Sequence, residues 1–129
     1  MSTMQPSITR LAVDYRPHPN ICLREMLIQG DQLTVQLDGQ ILFASAGPLR
    51  RLLQEQAEDY APRRLVLDCR RVTFVDSEGL AMLVGLDRHC RGNAIELWLK
   101  NPGEHLARLL KMTRLDQILA VAPQTTGDD

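Results

Sequence analysis

The chain has 129 residues, 44% of them hydrophobic and 24% charged, the composition of one globular domain that can bury a core without disulfides or metals. Its formal net charge is −1, from 15 basic and 16 acidic residues, so it lacks the dense basic face expected of a protein whose main partner is nucleic acid. The longest strongly apolar run, residues 80–86, falls well short of the roughly 20 residues of a membrane span, and residues 1–10 are too polar for a secretory signal. A cytoplasmic protein with no direct membrane insertion is the expectation.

Residues 1–20 carry Pro6, Pro17 and Pro19 and read as a polar N-terminal extension, with room for a short strand over residues 11–15. The folded domain is then expected over 21–122, and residues 123–129 read as a disordered acidic tail. Residues 21–28 have strand character. Gly30-Asp31 is a turn signal, and residues 33–37 alternate at period two. Asp38-Gly39 reads as a second turn before the apolar Ile41, Leu42 and Phe43. A helix follows, with Ser45 as N-cap, Pro48 in its first turn, and Leu49, Leu52, Leu53, Ala57 and Tyr60 at helical spacing. Pro62 ends it.

Residues 64–68 form a short apolar run of the kind found in strands covered on both faces, and residues 72–75 make a second, very short apolar segment. Asp76 and Ser77 then open a helix over 78–91, stopped at Gly92, with Leu80, Leu83, Val84, Leu86 and Cys90 on one face. Residues 94–99 are a further strand. Asn101-Pro102 caps a third helix that buries Leu106, Leu109 and Leu110, and residues 117–121 form a last short segment. Helices and strands alternate after residue 43, which indicates an α/β protein with a mixed sheet and crossover helices packed on it.

The three cysteines, Cys22, Cys69 and Cys90, are odd in number and widely spaced, with no C-x-x-C pair and no zinc-ligand spacing. They are expected to be reduced, mostly buried thiols. His18, His89 and His105 are scattered, and neither a Walker loop nor a G-x-G-x-x-G motif is present. These observations point away from an enzyme and from a bound metal or cofactor.

One segment is informative as a unit. An apolar strand ends in Asp68, residues 72–75 follow, and Asp76-Ser77-Glu78-Gly79-Leu80 opens a helix. This resembles the STAS domain, the family of bacterial anti-sigma factor antagonists and of the C-terminal domains of sulfate transporters. The likeness spans roughly residues 30–121, taking in the turn at Gly39, Asn101-Pro102 and residues 115–118. It implies a STAS-like fold with a four- to five-stranded mixed sheet. It also implies that Ser77 is phosphorylated by an anti-sigma factor that is a serine-protein kinase. The unmodified form would bind that kinase, and a PP2C-type, metal-dependent phosphatase would reset the switch. A non-phosphorylated adaptor subunit of an ABC-type transporter or signalling complex is the other role the resemblance allows. Two features depart from the family's pattern: Leu42 stands where many antagonists have an aspartate close to the phosphorylated serine, and Asp87 falls within an apolar stripe and needs a partner or a solvent edge.

The physical reading of these residues stands beside the resemblance. A serine at a helix start lies among unpaired backbone N–H groups at the positive end of the helix dipole, where phosphate is tolerated. Ser77 equally suits a plain capping role. Asp76 either orients the Ser77 hydroxyl and steers a kinase or caps the helix, with capping favoured. Glu78 is stabilising in a first helical turn and would modestly repel phosphate on Ser77. Gly79 costs about 1 kcal/mol in a helix, so either a partner backbone or the domain's own packing must come close to it. Met82 reads either as an adaptable interface residue or as peripheral core. Partner binding is therefore expected over Asp76, Ser77, Glu78, Gly79 and Met82.

Overall fold

The computed structural model describes residues 7–122. Six strands form one mixed sheet in the order β1-β2-β3-β4-β5-β6. They are β1 (Ile8–His18), β2 (Ile21–Gln29), β3 (Gln32–Ile41), β4 (Arg64–Val75), β5 (Glu96–Lys100) and β6 (Ala120–Val121). Three helices connect the parallel half: α1 (Phe43–Tyr60), α2 (Ser77–Gly92) and α3 (Glu104–Met112). A single 3-10 turn, Leu115–Gln117, leads into β6.

The first three strands pair antiparallel through tight connections, and β3 to β6 pair parallel. Each parallel step moves one place in the same direction. Right-handed crossovers therefore put α1, α2 and α3 on a single face of the sheet. The strands obey that division. Leu33, Val35 and Leu37 of β3, Leu65, Leu67 and Cys69 of β4, and Leu97 and Leu99 of β5 join the core with Leu49, Leu53, Leu83, Leu86, Leu106 and Leu110 of the helices. Alternate positions such as Gln36, Asp68 and Lys100 fall on the opposite face.

The sheet is wider than the four to five strands expected, because of β1 and the short β6. Residues 8–18 are not an extension outside the domain: they run antiparallel to β2 from Ile8–Gln29 to His18–Ile21. The prolines concealed this, yet Pro17 sits on the outermost strand, where a missing N–H costs no ladder bond. Residues 1–6 and the tail at 123–129 lie outside the described residues.

Asp38-Gly39 is not a turn. Strand β3 passes straight through it, pairing Asp38 with Arg71 and Gly39 with Val72 between two register irregularities. Gly39 has φ +130°, and a Cβ there would meet the carbonyl oxygen of Asn20. The apolar segments at 65–67 and 72–75 are likewise one strand, β4, and not two. Ser45 is not the cap of α1. Leu42 holds that position, and the Ser45 hydroxyl reaches back from inside the helix to accept the Leu42 N–H at 2.8 Å. Gly103, and not Asn101-Pro102, caps α3.

The three cysteines are free and buried. Burial, with a smaller effect of the Asp68 charge, pushes the Cys69 thiol up to about 12. Burial and then Asp87 push the Cys90 thiol to about 11. Asp87 is itself buried and has its partner one turn on, in the Arg91 guanidinium at 2.8 Å. Among the described residues no helix is long and apolar enough to cross a membrane, and no cluster of three metal-ligating side chains occurs.

Candidate functional site

Strands β3 and β4 end side by side, with Ile41 opposite Val75. Each strand leads directly into a helix. Two helix N-termini, those of α1 and α2, therefore emerge next to each other at one edge of the sheet, each carrying unpaired N–H groups and a partial positive charge.

Asp76 joins them. It is the N-cap of α2 in extended conformation, at φ −93° and ψ −174°. Its Oδ1 accepts the Gly79 N–H at 2.8 Å, and its Oδ2 accepts the N–H of Phe43, the first residue of α1, at 3.0 Å. Its own N–H donates to the Ile41 carbonyl at 3.2 Å. Both carboxylate oxygens are thus occupied by backbone donors. The capping role of Asp76 is realised twice, once on each helix. The second cap has a reason: Leu42 offers α1 no side-chain acceptor, and the first turn of α1 has no acidic residue.

Ser77 is the first residue of α2 and is exposed, as is Glu78 beside it. Gly79 is buried, and a Cβ there would meet the carbonyl oxygen of Ile41, with Val75 Cγ1 at 2.7 Å. The close approach that demands glycine is therefore internal to the domain, between α2 and the ends of β3 and β4, and Gly79 offers no free surface to a partner. Of the two readings of Met82, an interface residue or peripheral core, its burial matches the second. It is 4% exposed and belongs to the core, at the floor of a shallow groove it lines with Phe43, Ala46, Gly47, Arg50, Glu78 and Ala81. Helix α2 packs on α1 as well as on the sheet. Its buried surface is consequently wider than one stripe and takes in Gly79 and Met82. Of the five residues singled out in the sequence, Asp76, Ser77 and Glu78 share the rim, while Gly79 and Met82 lie beneath it.

The sequence reading missed the aromatic residues of this rim. The chain has two phenylalanines, and both are exposed here: Phe43 at 76% and Phe74 at 43%. The Phe74 ring stacks on His105 of α3, with centroids 4.5 Å apart and planes 19° from parallel. The His105 Nε2–H donates to the Val75 carbonyl at 3.1 Å. Both phenylalanines lie in short apolar runs, residues 41–43 and 72–75, in which nothing local marks the ring as exposed. The irregular register where β3 passes β4 turns Phe74 outward while Val72 and Val75 stay buried. Arg50 lies over Gly85 at the inter-helix surface and supplies a cation near the same groove.

This surface combines an exposed hydroxyl at a helix start, two exposed aromatic rings and a shallow groove. It suits docking of a protein surface and acceptance of a phosphate. A larger concavity lies elsewhere among the described residues, about 640 Å³ around Asp14, Arg16, Cys22, Arg24 and Asp38. Its charges are already paired, Arg16 with Asp14 and Arg24 with Asp38, both at 3.2 Å.

Comparison with known proteins bears on the family. The sequence model of the STAS domain matches residues 24–126. The chain is 29% identical over 93 residues to a STAS-domain containing protein of Pseudomonas aeruginosa, covering 72% of this chain and 90% of the relative. It is 32% identical over 97 residues to the anti-sigma-B factor antagonist of Bacillus subtilis, covering 75% of this chain and 87% of the relative. Among solved structures, an anti-sigma factor antagonist from Mycobacterium paratuberculosis superposes with a TM-score of 0.65 at 23% identity, covering 92% of this chain and 87% of the other. At that identity the superposition speaks for the fold alone.

Proposed function

This chain belongs to the STAS domain family, and on that premise we propose that it is a partner-switching regulator: an anti-sigma factor antagonist, non-enzymatic, controlled at Ser77. In this reading the unmodified chain binds a cytoplasmic anti-sigma factor that is also a serine kinase. The kinase transfers the γ-phosphoryl group of ATP to Ser77 Oγ, and ADP and the hydroxyl proton leave. A PP2C-type phosphatase hydrolyses the ester and restores the binding form. Neither nucleic acid nor a membrane takes part.

The observation that carries the reading is the placement of Ser77, exposed and first in α2, on a rim shared with the start of α1. Phosphate there gains helix N–H groups and a favourable dipole, so the domain survives modification. A partner packed against a neutral hydroxyl and two phenylalanine rings instead meets about −1.5 to −2 charges and loses affinity. The named relative in Bacillus subtilis supports the partner class.

The test is phosphorylation. The chain is incubated with ATP and each anti-sigma-type serine kinase encoded with it, and one kinase adds a single phosphate that is absent in Ser77→Ala. No transfer from any of them sinks the switch.

A second role, a STAS adaptor that never cycles phosphate, is favoured by one feature: Leu42 places a leucine at the α1 cap where many antagonists have a carboxylate beside the serine. That role predicts a stable complex with a transporter ATPase or signalling scaffold, unchanged in Ser77→Ala.

A further inference from the structure

We propose that Asp76 is a positioning residue that links the charge on residue 77 to the start of α1, so that phosphate on Ser77 releases Phe43. The inference rests on the switch reading of Ser77 and adds how the modification is transmitted across the surface.

The geometry is a single carboxylate shared between two helices. Oδ1 holds the Gly79 N–H of α2 and Oδ2 holds the Phe43 N–H of α1, at 2.8 and 3.0 Å. Phe43 depends on this bond. Its predecessor Leu42 contributes no side-chain cap, and the first-turn bonds that do exist serve other donors: Leu42 N–H to Ser45 Oγ at 2.8 Å, and Ser45 and Ala46 N–H to the Leu42 carbonyl at 3.0 and 2.7 Å. The Phe43 ring is largely in solvent, so packing does little to hold it.

Phosphate on Ser77 acts on Asp76 in two ways. It sets a dianion on the adjacent residue, and like charges so placed repel each other. Its oxygens also compete for the α2 amides, the Gly79 N–H among them. The carboxylate turns towards water, and the Phe43 N–H loses its acceptor. The first turn of α1 then frays, and Phe43 leaves the position in which it flanks the partner surface. Phosphorylation would thus remove an aromatic contact as well as add a charge.

Asparagine at position 76 isolates the link. It is as good an N-cap as aspartate, but its side chain has one acceptor oxygen, and the amide nitrogen cannot accept. Asp76→Asn can cap α2 or hold Phe43, not both.

Phosphoserine is installed at position 77 of the full chain during translation, so the outcome does not depend on any kinase. Amide hydrogen exchange is followed by NMR in the unmodified, phosphoserine and Asp76→Asn chains, with the Leu110 amide, well inside α3, as the internal reference. The Phe43 amide should exchange about tenfold faster in the phosphoserine chain, as expected for loss of one charge-assisted hydrogen bond, and likewise in Asp76→Asn when its one acceptor oxygen keeps the shorter bond to Gly79, with the reference amide unchanged. A Phe43 amide that exchanges in the phosphoserine chain at its unmodified rate overturns the proposal; a purely structural cap at Asp76 predicts that result. Should Asp76→Asn unfold, the phosphoserine chain still decides. A fast Phe43 amide together with failed kinase transfer keeps the linkage and removes the switch, and the reverse pattern keeps the switch and removes the linkage.

Discussion

Gly79 shows two effects of opposite sign at one residue. Helix propensity alone says that Gly79→Ala should stabilise α2 by about 1 kcal/mol. The contacts say otherwise: the added methyl would run into the Ile41 carbonyl oxygen and Val75 Cγ1. Ile41 and Val75 are both fully inside the core, so neither can yield without disturbing paired strands. Overpacking of this kind costs about 1–3 kcal/mol, which exceeds the propensity gain. Gly79→Ala is therefore expected to lower the urea midpoint, with a net loss of up to about 2 kcal/mol; an increase would mean that the rim is looser than the structure has it.

Helix α1 is imperfect at both ends. At its start the acceptor for Phe43 comes from Asp76, 33 residues away. At its end Ala61 takes the left-handed conformation, φ 45° and ψ 52°, with its N–H donated to the Ala57 carbonyl at 2.8 Å. A residue with a Cβ is disfavoured there by about 1–2 kcal/mol, and glycine is the usual occupant. Glycine raises the entropy of the unfolded chain, which offsets part of that relief, so Ala61→Gly should stabilise by about 0.5–1 kcal/mol net, read as a rise in Tm. Pro62 immediately after makes the stop unambiguous in the sequence, whereas the handedness of the residue before it depends on where β4 must begin.

At the scale of the whole molecule, three helices cover one face of six strands and leave the other to polar chemistry. Arg10 pairs with Glu25 at 3.0 Å and Arg64 with Glu96 at 3.1 Å on that face, and the Arg64 guanidinium lies 4.9 Å over the Trp98 ring. The Trp98 N–H and then Arg64 hold the Glu96 carboxyl below its ordinary range. Strand β1 completes the sheet and rests Leu11 and Val13 against the core. A chain begun at residue 20 would strip β2 of its neighbour and bare that edge. It should lose a substantial part of a stability of about 5–15 kcal/mol and become prone to association, checked by urea unfolding and light scattering. A truncated chain as stable and monodisperse as the full one would return residues 1–20 to the status of an extension.

Periodicity and punctuation placed most elements. Pro62 and Gly92 bound their helices, apolar runs located the parallel strands, and the Asp-Ser-x-Gly-Leu stretch in its strand-loop-helix setting marked the family and the rim. These signals are local: they depend on backbone restriction and on side chains a few residues apart. What only the tertiary structure decided depends on neighbours distant in the chain. The Asn20 carbonyl against Gly39 makes a strand where the sequence suggested a turn. Packing of α2 on both α1 and the sheet buries Gly79 and Met82. The parallel pairing of β3 with β4 brings two helix starts together, lets one carboxylate serve both, and leaves Phe43 and Phe74 partly or largely exposed. A linear pattern records how apolar a segment is; which face another element covers is settled only when the elements meet.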